Sequence, residues 1–276
     1  MKPIIFILLT FLSFQVNAQE LFVVTEPASN VPAESISFKL GQSLMNEQYK
    51  AGYNYHMMPE ITWGLSKDLM VRASGFISNR KSTSADLKTE GGSLYVKYRF
   101  LSTDDLHSHF RMSAFGRYSF NNADIHQEEI ETMGHNSGFE AGIVATQLIN
   151  KVAISTSISL ERAMDNKPDY PFPVTQSNTA LNYTLSFGKL MYPRQYSDFK
   201  QTNINLMVEF VGQTHNENQK SFLDVVPSIQ FIVNSQARID LAYKQELYRS
   251  MLRSAPNGVY VNLQYTFFSI KGNRSN

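Results

Sequence analysis

From residue 69 to residue 267 one pattern keeps returning: apolar side chains at every second position, with polar ones between them. Leu69, Val71, Ala73, Gly75 and Ile77 alternate with Arg72, Ser74 and Ser78. Leu94, Val96, Tyr98 and Phe100 alternate with Ser93, Tyr95, Lys97 and Arg99, and Phe110 to Phe120 alternate with Arg111, Ser113, Arg117 and Ser119. A period of two sends neighbouring side chains to opposite faces of a strand, so each segment predicts a strand with one apolar and one polar face. The same reading gives strands at 152–160, 181–187, 204–210, 239–243 and 259–267, with fainter ones at 35–44, 61–65, 139–145 and 223–233. The expected total is twelve.

A soluble two-sheet sandwich also alternates, so period alone does not choose the surroundings. Composition and length do. Charged residues are 18% of the 276, while Phe (19) and Tyr (14) are abundant. The apolar faces run almost free of charge for about 9 to 11 residues, the length a tilted strand needs to cross a bilayer. Tyr98 with Phe100, Tyr118 with Phe120, and Tyr265 with Phe267 and Phe268 cluster toward strand ends, where interfacial aromatic girdles sit. In hydrocarbon a sheet pairs all its backbone groups only by closing on itself. The expected fold class is therefore all-β, a transmembrane antiparallel β-barrel.

The connections agree with two unlike ends. Short links are read at 67–68, 101–108, 150–151, 192–201 and 234–237, and longer polar ones at 79–90, 121–136, 164–178 and 212–220. An even strand count puts both termini at the short-turn end, which is periplasmic in bacterial barrels. At the start, Lys2, the apolar run Ile4–Phe14 and the sequence Val16-Asn17-Ala18 read as a secretory signal peptide cleaved after Ala18. The expected organisation is a signal peptide at 1–18, a periplasmic segment at 19–34, the barrel at 35–268 and a tail at 269–276.

Twenty-five Lys and Arg against 24 Asp and Glu leave no basic excess for a nucleic-acid partner. The absence of Cys excludes disulfides, thiolate metal sites and thiol nucleophiles. If the apolar face meets lipid, the polar face lines the lumen, and there the signs are segregated. Early strands bring Arg72, Arg80, Lys97, Arg99, Arg111 and Arg117. Later ones bring Glu140, Glu161, Glu209, Asp224, Asp240 and Glu246, with Arg238 and Lys244 as exceptions. One wall basic and one acidic predicts a field across the lumen that orients a small solute. The same charges pairing across a narrow interior would plug it instead.

Two constellations raise chemistry. His135 and Ser137 stand two apart, as a base and nucleophile on one strand face would, and strict parity puts them on the lipid face. This resembles the His-x-Ser arrangement of outer-membrane phospholipases and lipid A deacylases, without the Asn-Gly that follows their Ser, because Gly138-Phe139 stands here. Asp104, Asp105, His107 and His109 share a predicted turn where a transition metal is conceivable but a solvated acidic turn is commoner. The reading is of no metal, no cofactor and no enzyme.

The segment Pro59-Glu60-Ile61-Thr62-Trp63-Gly64-Leu65-Ser66-Lys67-Asp68-Leu69-Met70-Val71, with Gly91-Gly92-Ser93-Leu94-Tyr95-Val96-Lys97-Tyr98-Arg99-Phe100, resembles a bacterial outer-membrane family described as transporters of the phenol meta-cleavage pathway. The likeness covers residues 59–162 and is carried by hairpin motifs. It implies an outer-membrane barrel and hydrophobic or aromatic cargo, and carries over no catalytic residue. The expected function is a passive or facilitated channel for a small solute in a Gram-negative outer membrane, with membrane lipid and the barrel-assembly machinery as partners. The alternatives are a lipid hydrolase using Ser137 and His135, or a closed structural or adhesive barrel.

Overall fold

The computed structural model describes residues 22–46, 52–79, 86–105, 108–167, 171–193 and 200–268. The expected signal peptide, Arg80, His107 and the tail from residue 269 lie outside the described residues. Twelve strands follow one another: β1 (Ile36–Asn46), β2 (Tyr53–Gly64), β3 (Leu69–Ser78), β4 (Lys88–Asp104), β5 (Ser108–Asn121), β6 (Ser137–Ile149), β7 (Val152–Met164), β8 (Thr179–Tyr192), β9 (Asn203–His215), β10 (Ser221–Val233), β11 (Ala237–Arg249) and β12 (Asn257–Phe267). Each pairs antiparallel with its sequence neighbours, and β1 pairs with β12 from Ile36 opposite Phe267 to Asn46 opposite Asn257. The sheet is closed, so its ladders have no edge.

Every strand expected from alternation is present, and the shortfalls have local causes. β2 was legible only over 61–65 because Met57, Met58 and Pro59 make both of its faces apolar around its middle. β4 begins before its alternation becomes readable, because its pairing with β3 shifts between Phe76 and Ile77 and leaves Glu90 as an extra residue.

The exterior is the apolar face. Outward residues such as Ile143, Ile158, Leu160, Leu185, Leu206 and Leu241 are 41–60% exposed in mid-strand. Exposed aromatics ring both ends: Trp63, Tyr98, Phe100 and Phe267 near the short turns, and Tyr53, Tyr118, Phe120 and Phe139 near the long loops. Burying that belt in acyl chains removes the cost of wetting it, about 25 cal/mol per Å². Inward positions are polar and buried, and the barrel spans the membrane.

One expectation is corrected. Residues 22–34, read as a segment outside the barrel, run inside it, with Phe22, Val23, Ala28 and Val31 all under 10% exposed. The physical reason lies in their composition: in 21–33 Glu26 is the one charge among largely apolar residues, and a barrel interior is the cover at hand. We expect Ile143→Arg, on the outer face opposite Ile158, to cost about 2–4 kcal/mol near the bilayer midplane. Reversible unfolding from vesicles measures this; a loss under about 0.5 kcal/mol, ordinary for a wetted surface, would contradict the outward assignment.

Candidate functional site

The lumen is filled by two chain segments, and the polar face of the barrel is built to hold them. Glu209, fully buried on β9, accepts hydrogen bonds from the backbone N–H groups of Val23 (3.0 Å), Val24 (3.1 Å) and Thr25 (2.7 Å). Those three N–H donors offset part of the cost of burying the carboxyl group. The Thr146 hydroxyl on β6 accepts from Ala28 N–H (2.9 Å), and the Ser113 hydroxyl on β5 donates to the Ala28 carbonyl (2.6 Å). Lys97 on β4 donates to the carbonyls of Pro27 and Ser29, both at 2.8 Å. Arg111 donates to the Ser29 hydroxyl at 3.0 Å. Glu26 pairs with Arg72 and Lys97. Burial works to raise the Glu26 pKa, but the two cations beside it hold it well below the usual carboxylate range.

Apolar contacts complete the attachment. Phe22 and Val23 pack with Met207, Val226 and Ala242, and Val31 packs with Met70 and Tyr95. The segment returns to the wall where Glu34 N–H donates to the Gly64 carbonyl at 2.8 Å. A side chain at Gly64 would strike the Pro32 carbonyl, so the close approach needs glycine there.

From the loop end, residues 122–136 fold inward and are clasped to 250–256. Arg253, fully buried, donates to Asp224 on β10 (2.6 and 2.8 Å), to Glu129 (3.0 and 2.8 Å) and to Glu246 on β11 (3.1 Å), with its guanidinium over the Phe222 ring. Leu252 N–H donates to the Glu128 carboxylate, and the Leu252 carbonyl accepts from Glu128 and Glu129 N–H. Deeper in, Ile130 exchanges two hydrogen bonds with Gln213, and Thr132 N–H donates to Glu161 at 2.6 Å. Burial pushes the carboxyls of Glu129 and Glu131 upward, but Arg253 beside the first and His135 beside the second leave both below their ordinary 4.5. Arg253 is held above its usual value by its carboxylates against the opposing effect of burial.

Between the inserts and the opposite wall a cavity of about 140 Å³ remains. Its lining steps down four adjacent strands, from Asn54, Tyr260 and Lys244 near the loops, past His56, Ser43, Gly41 and Asn262, to Lys39, Glu60, Thr62, Ser37, Gln264 and Arg238 near the turns. Met45, Met58, Met133 and Phe22 add apolar surface. Lys39 pairs with Glu60 (2.9 Å), Arg238 with Asp240 (3.1 Å) and Lys244 with Asp224 (3.4 Å). The lining mixes polar and apolar groups and is close to charge-neutral.

The residues expected to face the lumen divide by partner. Arg72, Lys97, Arg111 and Glu209 hold the N-terminal segment, Glu161 holds the inward loop, and Arg117 pairs with Glu140 across β5 and β6. Arg72 and Arg117 also flank the Tyr95 ring, each 5.2 Å from its centre. Asp240 accepts from Arg238, Gln230 and Asn262. Arg99 lies at the turn rim on Asp68, 3.0 Å away. The expected transverse field is reduced, because Glu26 enters the basic side and Arg253 the acidic one, each pairing there with charges of opposite sign. Neither was singled out from sequence; the signal available was a lone charge in each of two otherwise uncharged stretches, 21–33 and 250–257.

The hydrolase constellation is overturned. Ser137 and His135 are buried, not lipid-facing, because Gly138 takes φ +153° and breaks the alternation between Ser137 and the outward Phe139. The Ser137 hydroxyl is engaged with the backbone of Asn121, and His135 Nδ1 lies 2.9 Å from Glu131. In the acidic turn, His109 and Arg111 both contact Asp104. Among the described residues no cluster of three or more His, Asp or Glu side chains is placed to hold a metal ion.

No protein-family model and no curated protein sequence matches the chain. Solved structures do. The COG4313 outer membrane channel from Pseudomonas putida F1 superposes with a TM-score of 0.55 at 9% identity, covering 89% of this chain and 99% of that one. KdgM porin gives a TM-score of 0.46 at 8% identity over 84% of this chain and 99% of its own. The first of these likenesses establishes the fold, a closed outer-membrane type of barrel.

Two outcomes test the site. Glu209→Ala strands three buried N–H donors, so the N-terminal segment should loosen; proteolysis within residues 22–34 of folded barrels should speed up, and an unchanged rate would refute the anchor. The second concerns acid. Glu129 and Glu131 have depressed folded pKa values, so the stability they lend the clasp is complete above their ordinary 4.5 and declines as pH falls below it. Protease access to residues 122–136 should be flat from neutral pH down to about 4.5 and rise below that. A rise confined to pH 6–7 would contradict it.

Proposed function

We propose that the protein is an outer-membrane channel of a Gram-negative bacterium, passing one small, uncharged or zwitterionic solute at a time along the groove lined by β11, β12, β1 and β2. The observation that carries this reading is the groove itself, lined by polar side chains from the loop end to the turn end beside the inserted N-terminal segment. Its volume of about 140 Å³ is close to the roughly 150 Å³ cavity that takes up one benzene molecule. Methionine thioethers and a Tyr260 ring interleaved with amides suit a small aromatic or amphipathic molecule, since thioethers adapt to varied shapes and contact rings well.

That size and lining accord with the cargo implied by the likeness to transporters of the phenol meta-cleavage pathway. In this reading Arg72, Lys97, Arg111, Glu161 and Glu209 fix the inserts that narrow the bore, while Arg117 and Glu140 pair with each other on the wall. Lys244 belongs to the solute's own path, Asp240 holds the groove-lining Arg238 from behind, and Arg99 belongs to the periplasmic rim. The belt of outward aromatics meets membrane lipid, and the closing strand with its aromatic end serves recognition by the barrel-assembly machinery.

The test is obstruction. Gly41 lies mid-groove, paired with Asn262 and Met58, and a side chain there enters the cavity. Gly41→Leu should cut liposome swelling by glycerol-sized solutes several-fold while heat-modifiable migration of the folded barrel is retained. Undiminished flux would remove the groove as the path, and absence of flux in the unaltered protein would favour a closed structural barrel.

A further inference from the structure

The barrel wall is least firmly laced at one place beside the groove. β2 and β3 are in register at Met57 opposite Ile77 and again at Glu60 opposite Ser74, but the two pairs between, Met58 with Phe76 and Pro59 with Gly75, are missing from the ladder. Pro59 has no N–H to give. On its other side the same stretch of β3 is also irregular, since the pairing with β4 shifts between Phe76 and Ile77. Gly75 and Phe76 thus have no ladder partner on β2, pair with Gly92 and Gly91 on β4, and stand beside the bulge there, three and two residues before β3 ends at Ser78.

Side chains around this gap differ on its two faces. Outside, Gly75 offers none, and a Cβ built there would meet only the Pro59 ring at 3.4 Å. Inside, Phe76 is fully buried with its ring 6.2 Å from that of His56, and Met58 and His56 line the groove. A second proline gap, at Val226–Pro227 of β10 facing β11, lacks these features. There the other flank pairs regularly with β9, the outer position opposite Pro227 carries the large Tyr243, and Phe22 and Val23 pack inside on Val226.

We propose that the seam between β2 and β3 at Met58–Pro59 and Gly75–Phe76 is a side port through which an apolar or monocyclic aromatic solute passes between the groove and the hydrocarbon of the bilayer, with the Phe76 ring as its door. This rests on the groove being a solute path. The chemistry of the port selects the cargo: the ring and the thioether favour apolar matter, and the lipid beyond rejects charge. Opening breaks few hydrogen bonds because two pairs are already absent. A polar solute keeps to the axial route.

Because the chain has no cysteine, a disulfide can be placed across the seam without interference. Met57→Cys with Ile77→Cys joins the facing residues just above the gap. Two readouts separate the routes. One is glycerol swelling of proteoliposomes. The other is entry of 4-(dimethylamino)benzonitrile, a monocyclic apolar dye whose fluorescence reports an apolar surrounding, into cells carrying each variant in the outer membrane. Closing the disulfide should slow dye entry several-fold, reversibly with a reductant, and leave glycerol flux unchanged. Phe76→Ala should speed dye entry. Dye entry indifferent to the oxidised disulfide and to Phe76→Ala would overturn the port while leaving the axial channel intact. Equal loss of both fluxes would also overturn it, by showing a single shared route. Failure of glycerol flux in the unaltered protein would instead strike the channel reading.

Discussion

The inward face of the barrel is organised by the need to give every buried charge and every buried backbone group of the inserts a partner. A carboxylate or guanidinium inside a protein costs several kcal/mol unless it is paired and hydrogen-bonded. Here the strand charges and the inserts solve that problem for each other. Arg72 and Lys97 receive Glu26 and two carbonyls, while Glu209 and Glu161 receive N–H groups that an irregular segment would otherwise bury unpaired. Asp224 and Glu246 receive Arg253. The segregation of basic from acidic strands thus reflects what each wall holds. Carbonyls and a carboxylate call for cations, and N–H groups and an arginine call for anions.

This arrangement sets a hierarchy of stability. Outside the proline gaps at Pro59 and Pro227 the barrel is held by ladders in a medium where an unpaired backbone group has no alternative, so its strands resist separating one by one. The inserts are held by side-chain contacts to the wall, each net worth about 0.5–3 kcal/mol. Local opening draws on the weaker set, and the strands do not need to move for the bore to change. The clasp at Arg253 and the anchor at Glu209 are then points where several hydrogen bonds to one side chain tie the inserts to the wall, one near the loops and one at mid-barrel.

Much of the fold was legible because period two survives wherever one face meets lipid and the other water or polar groups. It faded at Met57–Pro59, where a groove-lining methionine made the inner face apolar as well, and at Glu90, where a bulge displaced the phase. The inward orientation of Arg72, Lys97 and Glu209 followed from the same alternation. Their roles did not, since pattern along a strand says nothing about a segment two hundred residues away that returns to fill the interior. Glu26 and Val23 contact residues up to 186 positions distant in sequence. The mistaken pairing of His135 with Ser137 failed for a related reason: parity holds only inside regular backbone, and the positive φ of Gly138 ends it.

What the inserts leave open also decides how such a barrel discriminates. With Lys39, Arg72, Arg117, Arg238, Lys244 and Arg253 each facing a carboxylate, little net potential remains to draw or repel ions. In the proposed channel, selection by sign therefore gives way to selection by cross-section and by contact. A twelve-strand wall lies between small barrels packed solid by side chains and wide porins with an aqueous bore. Backbone inserts in that intermediate space do what bulky side chains would do in a smaller barrel, with one difference. A side chain only fills volume, whereas a backbone segment brings N–H and C=O groups that the wall must pair, which is why so many polar side chains are buried on the inward face.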